Sequence, residues 1–285
     1  GISPAGMGTY PFTPAFTNAK TLSGTDLGLP VQTVTCLPSI SAFVGGDITA
    51  GILHTGLTDS AQPALLLDIG TNGEMVLTHR GQLAACSTAA GPALEGANIR
   101  FGMRGASGAI DHVYLENSQV RCTVIGGENA TGICGSGIVD AVAVMLEQGL
   151  LNRRGRIQSA EEIRGQRFFP LTDGIYLTQE DIRQVQLAKG AISAGIQLLC
   201  RHFGIATEDI DQVILAGAFG SYMDPASACR IGLLPRELYG RVTAAGNLAL
   251  SGAKGLAMDR GQFLLAQQLV SQIQHLSLSE DPAFS

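Results

Sequence analysis

The spacing of apolar and polar residues changes along this chain, and it predicts an antiparallel meander early in the sequence. Three short strands are predicted at Ala64–Asp68, Glu74–Thr78 and Gln82–Cys86, because each is an apolar or β-branched run bounded by turn residues. The first connection contains Asn72-Gly73 and the second contains His79-Arg80-Gly81, and both favour tight hairpins. These strands are therefore expected to pair consecutively.

Helical spacing dominates much of the remaining sequence. A long helix is predicted from Thr178 to Gly204, because Thr178 and Asp181 form a capping box and apolar residues follow on one face. Further helices are predicted at 44–57, 136–150, 246–258 and 260–274 and after Asp224-Pro225, with strands at 31–36, 111–115, 119–125 and Gln212–Ala216. Residues 1–30 lack periodicity and predict an extended connecting arm before a globular unit at 31–285. The pattern indicates an α/β fold with a meander, which disfavours a plain doubly wound dinucleotide fold.

Composition excludes several classes of protein. The 285 residues include 18 basic and 24 acidic ones, a formal net charge of −6, so no positive surface for nucleic acid is expected. Hydrophobic residues make up 45% and charged residues 15%, which argues against disorder. No apolar run approaches the roughly 20 residues of a membrane span. The six cysteines show no CxxC spacing, and no secretory signal is visible, so we expect free thiols in a cytoplasmic protein.

Two glycine-rich segments follow predicted buried strands and are candidates for ligand binding. In Asp68–Glu74 the turn could wrap a phosphate with its backbone N–H groups, while Asp68 holds a metal ion or its water. The alternative is a hairpin whose aspartate caps the turn. In Leu215–Ser221 the glycines would let a flat ligand approach the backbone, or would simply form a strand-to-helix turn.

Two further segments are rich in small residues. Gly132–Gly137 leads into a predicted helix and suits either close packing or an anion at the helix N-terminus. Gly91–Gly96 contains Glu95 as its only charge. It is either a loop that moves when a ligand binds or an ordinary surface loop.

Taken in order, these four segments resemble the actin-like ATPase superfamily, which includes sugar kinases, acetate kinase and heat-shock chaperone ATPases. The resemblance implies a ribonuclease H-like lobe with an antiparallel meander, a mixed sheet and flanking helices. It makes 68–74 a phosphate hairpin, 132–140 a connecting helix, 215–221 the adenosine motif and 246–253 the second connecting helix. As in the chaperones, a helix before the adenosine motif would then place Gln186, Lys189 and Ser193 against the nucleoside. Lys189 could instead lie at the edge of an apolar helix face.

A closer resemblance is to the ATP-dependent reductive activators of corrinoid proteins. It is carried by residues 37–45, 68–74, 86–99, 132–137, 181–183, 187–189, 216–222 and 231–235, and it extends from about Pro30 to the end. The resemblance implies that ATP drives reduction of Co(II) to Co(I) in the corrinoid protein of a methyltransferase system, which is the expected partner. A homodimer is also expected.

The same resemblance implies the cofactors and the site residues. ATP and Mg²⁺ would bind here, with Asp68 and Glu95 as catalytic residues and Asp68 as the metal ligand. The residues expected to contact the nucleotide, besides the three on the long helix, are Gly70, Thr71, Asn72, Gly73, Gly217, Ala218, Phe219 and Gly220.

The chain departs from the full family pattern in two ways. It lacks the C-x₄-C-x₂-C motif of a plant-type cluster domain, and it contains one Asp-x-Gly-Thr hairpin where two lobes would supply two. It also begins at Gly1. We therefore expect a C-terminal ATPase lobe, with the [2Fe–2S] cluster in a missing N-terminal domain. Such a lobe would hydrolyse ATP weakly or not at all when alone.

Three alternatives remain open on the sequence. The first is a small-molecule kinase of the same superfamily. The second is a non-catalytic module for docking a corrinoid protein or for dimerisation. The third is an activator of the 2-hydroxyacyl-CoA dehydratase type, in which Cys86 and Cys134 would help to hold a cluster between subunits.

Overall fold

A computed structural model describes residues 14–282, except 128, 159–161, 164, 221 and 260. The strands are β1 (Lys20–Ser23), β2 (Thr33–Cys36), β3 (Ala64–Ile69), β4 (Gly73–His79), β5 (Gln82–Thr88), β6 (Ala109–Glu116), β7 (Gln119–Val124), β8 (Gly132–Ile133), β9 (Glu162–Ile163), β10 (Gln166–Thr172), β11 (Ile175–Thr178), β12 (Gln212–Ala216), β13 (Val242–Gly246) and β14 (Ile273–Leu276). The helices are α1 (Gly46–Thr55), α2 (Gly135–Glu147), α3 (Gln179–Phe203), α4 (Gly217–Gly220), α5 (Pro225–Ile231), α6 (Leu248–Met258) and α7 (Gly261–Val270).

A six-stranded mixed sheet forms the centre of the molecule, in the order β13-β12-β3-β4-β5-β14. Strands β3, β4 and β5 pair as the predicted antiparallel meander. Strand β12 runs parallel to both β3 and β13, and β14 runs parallel to β5. This arrangement confirms the predicted α/β lobe with a meander and a mixed sheet. It also places the carboxyl ends of β3 and β12 side by side.

Both faces of the sheet are covered by helices, and the alternation along β3 shows why. Leu65 and Leu67 belong to one apolar cluster, which includes Ile192 and Ile196 of α3. Leu66 belongs to a second cluster, which contains residues of α1, α6 and α7. Because successive strand residues point to opposite faces, this run of three leucines is buried on both sides. Full burial of each leucine stabilises the fold by about 2 kcal/mol.

Helices α1 and α6 pack against each other through small residues. A Cβ atom added to Gly252 would collide with the carbonyl group of Ala50, and one on Gly51 would lie 3.5 Å from Leu248 Cβ. The prediction of a helix near 246–258 is confirmed, with Asn247 as its N-cap. Its packing partner is α1. Helix α2 packs on β6 and α5, and the role of 132–140 as the other connecting helix stays a prediction.

The segment between β5 and α3 forms two small sheets, ordered β7-β6-β8 and β11-β10-β9. Helix α3 begins at the predicted capping box, in which Thr178 and Asp181 exchange hydrogen bonds. The structure differs from the prediction at 260–274, where α7 ends at Val270 and β14 follows. The reason is that the outer edge of β5 offers a partner to residues 273–276. Within the described helices, none combines the length and apolar character that a membrane span requires.

The predicted connecting arm is only partly within the described residues. Residues 1–13 lie outside them. Strand β1, in the later part of the arm, pairs antiparallel with β2. The arm therefore ends in a hairpin.

Candidate functional site

The end of β3 and the start of α4 meet at Asp68 and Gly217. The parallel register pairs Ala216 with Asp68. Gly217 has a φ of +90°, and a Cβ atom there would lie 2.6 Å from Asp68 Oδ1 and 2.9 Å from the carbonyl oxygen of Ile69. Only glycine fits this backbone conformation and this close approach. The two glycine-rich segments predicted to bind phosphate and nucleoside are thus in direct contact.

The turn after β3 exposes the residues predicted to surround a phosphate. The Gly70 N–H group donates a hydrogen bond to the Asn72 carbonyl oxygen at 2.9 Å, which closes the turn. Thr71 and Asn72 are exposed, whereas Gly73 is buried, and a Cβ atom on Gly73 would lie 3.1 Å from Ile192 Cδ1 of α3. The hairpin therefore packs against α3 at Gly73, and its tip at Thr71 and Asn72 is open to solvent.

Glu95 reaches this hairpin from a separate loop. The Thr71 hydroxyl donates to Glu95 Oε2 at 3.0 Å, and a Cβ atom on Gly70 would lie 3.3 Å from Glu95 Oε1. The loop is flanked by Gly91 and Gly96, which have φ values of 78° and 86°. The structure thus brings together the predicted phosphate hairpin and the predicted acidic residue.

A carboxylate cluster, formed by Asp47, Asp68 and Glu74, lies at the base of the hairpin. Burial, with repulsion from Asp47, raises the pKa of Asp68 to about 6. Burial, with repulsion from Asp47 and Asp68, raises the pKa of Glu74 to about 7. Neither Asp47 nor Glu74 is among the site residues predicted from the sequence. Glu74 could have been found from the hairpin register, which places it opposite Asp68.

The donor set fits a cation that arrives with a nucleotide. Among the described residues, no three His, Cys, Asp or Glu side chains form a group able to hold a metal ion. Mg²⁺ in nucleotide sites usually needs one or two carboxylates, because waters and phosphate oxygens supply the other ligands. Asp68 and Glu74, which lie opposite each other on β3 and β4, supply that number of carboxylates, and a divalent cation would relieve the repulsion between them.

Two of the three residues predicted to contact the nucleoside from α3 bind other parts of the chain. Gln186 Nε2 donates to the Arg154 carbonyl oxygen at 3.3 Å. Lys189 Nζ donates to the Ile231 carbonyl oxygen at 2.7 Å, at the C-terminal end of α5. Ser193 is half-buried on the same helix. Their contact with a nucleoside stays a prediction.

The remaining predictions concern the residues of α4 and the cysteines. Gly217–Gly220 form the short helix α4, and the side chains of Ala218 and Phe219, like residue 221, lie outside the described part of the chain. All six cysteines are free, as expected. Burial raises the pKa of the Cys86 thiol to about 12, which disfavours the thiolate that a cluster ligand requires.

Comparison with protein families supports the resemblance drawn from these motifs. The family model described as the C-terminal domain of RACo, the ASKHA domain, matches residues 62–285. A second model, for the RACo middle region, matches residues 1–60. This division falls between α1 and β3, whereas the boundary predicted from the sequence lies between residues 30 and 31. The boundary between residues 30 and 31 stays a prediction.

Individual relatives are also similar to this chain. The corrinoid activation enzyme RamQ from Eubacterium limosum is 36% identical over 307 aligned residues, covering 99% of this chain and 51% of the relative. A Co(II) methylated amine-specific corrinoid protein reductase from Methanosarcina barkeri is 29% identical over 272 residues, covering 87% and 49%. The chain spans about half the length of these curated relatives.

A solved structure gives the same result. The reductive activator for corrinoid, iron-sulfur protein superposes with a TM-score of 0.89 at 34% identity, covering 99% of this chain and 48% of that one. The family model, the relatives and the shared fold agree, and the chain belongs to the RACo family of reductive activators, with residues 62–285 forming the C-terminal ASKHA domain.

Proposed function

We propose that this chain is the ATP-binding part of a reductive activator that uses ATP to drive reduction of Co(II) to Co(I) in a corrinoid protein of a methyltransferase system. The observation that carries the proposal is the contact between the Asp68 hairpin and Gly217, with Glu95 bonded to Thr71. The relatives named as corrinoid activators support the choice of partner.

The hairpin would bind the phosphates of ATP through its backbone and Thr71. Thr71 and Asn72 lie exposed at the turn, and backbone N–H groups in such a turn favour bound anions. Mg²⁺ bound with the nucleotide supplies positive charge to the phosphates, and Asp68 would hold it, directly or through water. Glu95 would accept a hydrogen bond from the water that attacks the terminal phosphate. Gly91, which has a φ of 78° and open space around it, lets the backbone turn into the loop that presents Glu95.

Turnover would require more protein than this chain supplies. The relatives are about twice as long, and in our proposal their additional lobe completes the nucleotide cleft. A [2Fe–2S] cluster elsewhere in the longer protein would deliver the electron. We also propose a cytoplasmic homodimer, which the resemblance implies.

Nucleotide titration tests the proposal directly. Isothermal titration calorimetry with ADP or a non-hydrolysable ATP analogue should show binding that strengthens when Mg²⁺ is added. Asp68→Asn should abolish this Mg²⁺ dependence. Asp173→Asn, at an exposed turn between β10 and β11, removes a similar charge elsewhere and should leave binding unchanged. Failure of the wild-type chain to bind either nucleotide at millimolar concentration would contradict the proposal.

A further inference from the structure

The carboxyl group of Asp181 lies buried at the start of α3 and uses its two oxygens for different tasks. The residue is 2% exposed. Its Oδ2 atom accepts hydrogen bonds from the Thr178 N–H group at 2.7 Å and from the Thr178 hydroxyl at 2.8 Å. Its Oδ1 atom accepts a hydrogen bond from the Arg100 N–H group at 2.8 Å, across 81 positions of sequence. A capping box needs only the bond to the N-cap N–H group, so Oδ2 alone serves the helix and the bond to Arg100 is additional.

Arg100 belongs to the same loop as Glu95, and we define the Glu95 loop as residues 92–103. Gly96 and Gly102 bring the two halves of this loop into backbone contact. A Cβ atom on Gly102 would collide with the Gly96 carbonyl oxygen, and one on Gly96 would lie 2.5 Å from the carbonyl oxygen of residue 103. The loop is therefore closed on itself, and Arg100 and Glu95 are parts of one compact unit.

The Glu95 loop is seated on the core and on β8. Leu94 and Ile99 are buried in the apolar cluster that also contains residues of α2 and α3. The Met103 N–H group donates a hydrogen bond to the Ile133 carbonyl oxygen of β8 at 2.9 Å. The bond from Asp181 adds a link to the start of α3, so the loop is held from more than one side.

The side chain of Arg100 contacts the same region as its backbone. Its guanidinium carbon lies 5.3 Å from the centre of the Tyr176 ring, which belongs to β11. Arginine is attracted to the face of an aromatic ring at this distance. Strand β11 leads directly into α3. The junction of β11 and α3 is therefore the seat of this end of the Glu95 loop.

At its other end the loop presents Glu95 to the Asp68 hairpin. Glu95 is exposed, and its Oε2 atom accepts the hydrogen bond from the Thr71 hydroxyl at 3.0 Å. A displacement of the loop by about 0.5–1 Å would take these two oxygens beyond hydrogen-bond distance. The place of the Glu95 carboxylate thus depends on how firmly the loop is held.

Resting on the proposed function, in which Glu95 holds the attacking water, we propose that Asp181 is a positioning residue of the nucleotide site. By holding the Arg100 N–H group, Asp181 fixes the Glu95 loop and with it the Glu95 carboxylate at the hairpin. The start of α3 then acts on the terminal phosphate without touching the nucleotide. This role is separate from the nucleoside contacts predicted further along the same helix.

Amide NMR spectra of the ¹⁵N-labelled chain without nucleotide read the place of Glu95 directly. Asp181→Ala should shift the amide resonances of residues 70–73 in the direction that Glu95→Ala shifts them. Asp181→Asn keeps an acceptor oxygen for the loop and should restore most of the wild-type resonances. Thr178→Ala weakens the helix cap but leaves the bond between Asp181 and the loop, so residues 70–73 should not shift.

Circular dichroism verifies that each variant folds. Asp181→Ser, which keeps a polar group at the capping position but is too short to hold the loop, is the second variant if Asp181→Ala does not fold. Its hairpin resonances should shift as those of Asp181→Ala would.

Calorimetry with ADP and a non-hydrolysable ATP analogue, both with Mg²⁺, measures the effect on the nucleotide. Glu95 and its water lie at the terminal phosphate in the proposed function, so the analogue should be affected and ADP should not. Asp181→Ala should weaken binding of the analogue relative to ADP by about threefold or more, as expected for loss of one hydrogen bond. Asp181→Asn should recover most of this loss, and Thr178→Ala should bind both nucleotides like the wild type.

The outcomes separate this inference from the proposed function. Unshifted hairpin resonances in a folded Asp181→Ala overturn the positioning role and leave the proposed function intact. Equal shifts in Asp181→Ala and Thr178→Ala, or in Asp181→Ala and Asp181→Asn, also overturn it, because the bond to the loop would then not be the cause. Failure of the wild type to bind either nucleotide contradicts the proposed function, whereas the NMR comparison still decides whether Asp181 fixes Glu95.

Discussion

Replacing Glu74 by glutamine should stabilise the folded chain at alkaline pH. Glu74 begins β4 opposite Asp68 and is half-buried. Its charged form is opposed by burial and by repulsion from Asp47 and Asp68. Glutamine has nearly the same shape and carries no charge, so it removes both penalties without changing the packing of the hairpin.

The size and sign of this effect follow from the pKa of Glu74. Burial raises the pKa from 4.5 to about 7, so the folded chain binds an extra proton between these two values. Glu74 therefore lowers the free energy of unfolding least below about pH 4.5, and its destabilising effect grows as the pH rises through 7. The shift corresponds to about 3 kcal/mol, which we reduce to about 2 kcal/mol because the side chain keeps part of its hydration.

Urea unfolding at pH 4.5 and pH 8, followed by circular dichroism, measures the difference. At pH 8 Glu74→Gln should have a free energy of unfolding about 2 kcal/mol above that of the wild type, and at pH 4.5 the two should nearly coincide. Glu116→Gln, at an exposed ion pair with Arg121, should shift stability by less than about 1 kcal/mol at both pH values. An equal difference at both pH values, or a less stable Glu74→Gln at pH 8, would refute the reasoning.

Three further substitutions test individual contacts by urea unfolding. Gly217→Ala should lower the free energy of unfolding by about 3 kcal/mol and remove nucleotide binding, because the added Cβ would collide with Asp68. The control Gly240→Ala has a φ of 86° but open space around it, so it should lower the free energy of unfolding by only about 1 kcal/mol. Thr178→Ala should cost about 1 kcal/mol by removing the cap of α3, and Thr178→Ser should restore most of it. Lys189→Met should lower the free energy of unfolding by about 1 kcal/mol, because it removes the hydrogen bond to the Ile231 carbonyl oxygen, and Lys189→Arg should keep part of that stability. An unchanged stability in Lys189→Met would show that this hydrogen bond contributes little.

Local signals account for the parts of the fold that were predicted correctly. The meander follows from apolar runs separated by Asn72-Gly73 and by residues 79–81, and α3 follows from its capping box and apolar spacing. Each signal lies within a few residues of the structure that it determines. Local patterns do not predict β13, and the helix predicted at 260–274 extends into the start of β14, because a four- or five-residue strand is specified mainly by its distant partner.

The same distinction between local signals and distant partners applies to the candidate site. Asp68 and the hairpin were recognised because the strand and the turn are adjacent in sequence. The hydrogen bond between Thr71 and Glu95 joins residues 24 positions apart, and only the fold brings them together. The involvement of Asp47 depends on α1 packing beside β3, which no local pattern encodes.

The position of β14 at the edge of the sheet sets the order in which the chain can finish folding. Its partner β5 is complete at Thr88, and about 180 residues separate the two strands. At a synthesis rate of about 5–20 residues per second, the outer edge of β5 waits on the order of 10–40 s for its neighbour. An open strand edge is a site for association with other chains. The newly made protein therefore exposes an unpaired strand edge until residues 273–276 have been added, and any shortened product that ends before Ile273 keeps that edge permanently.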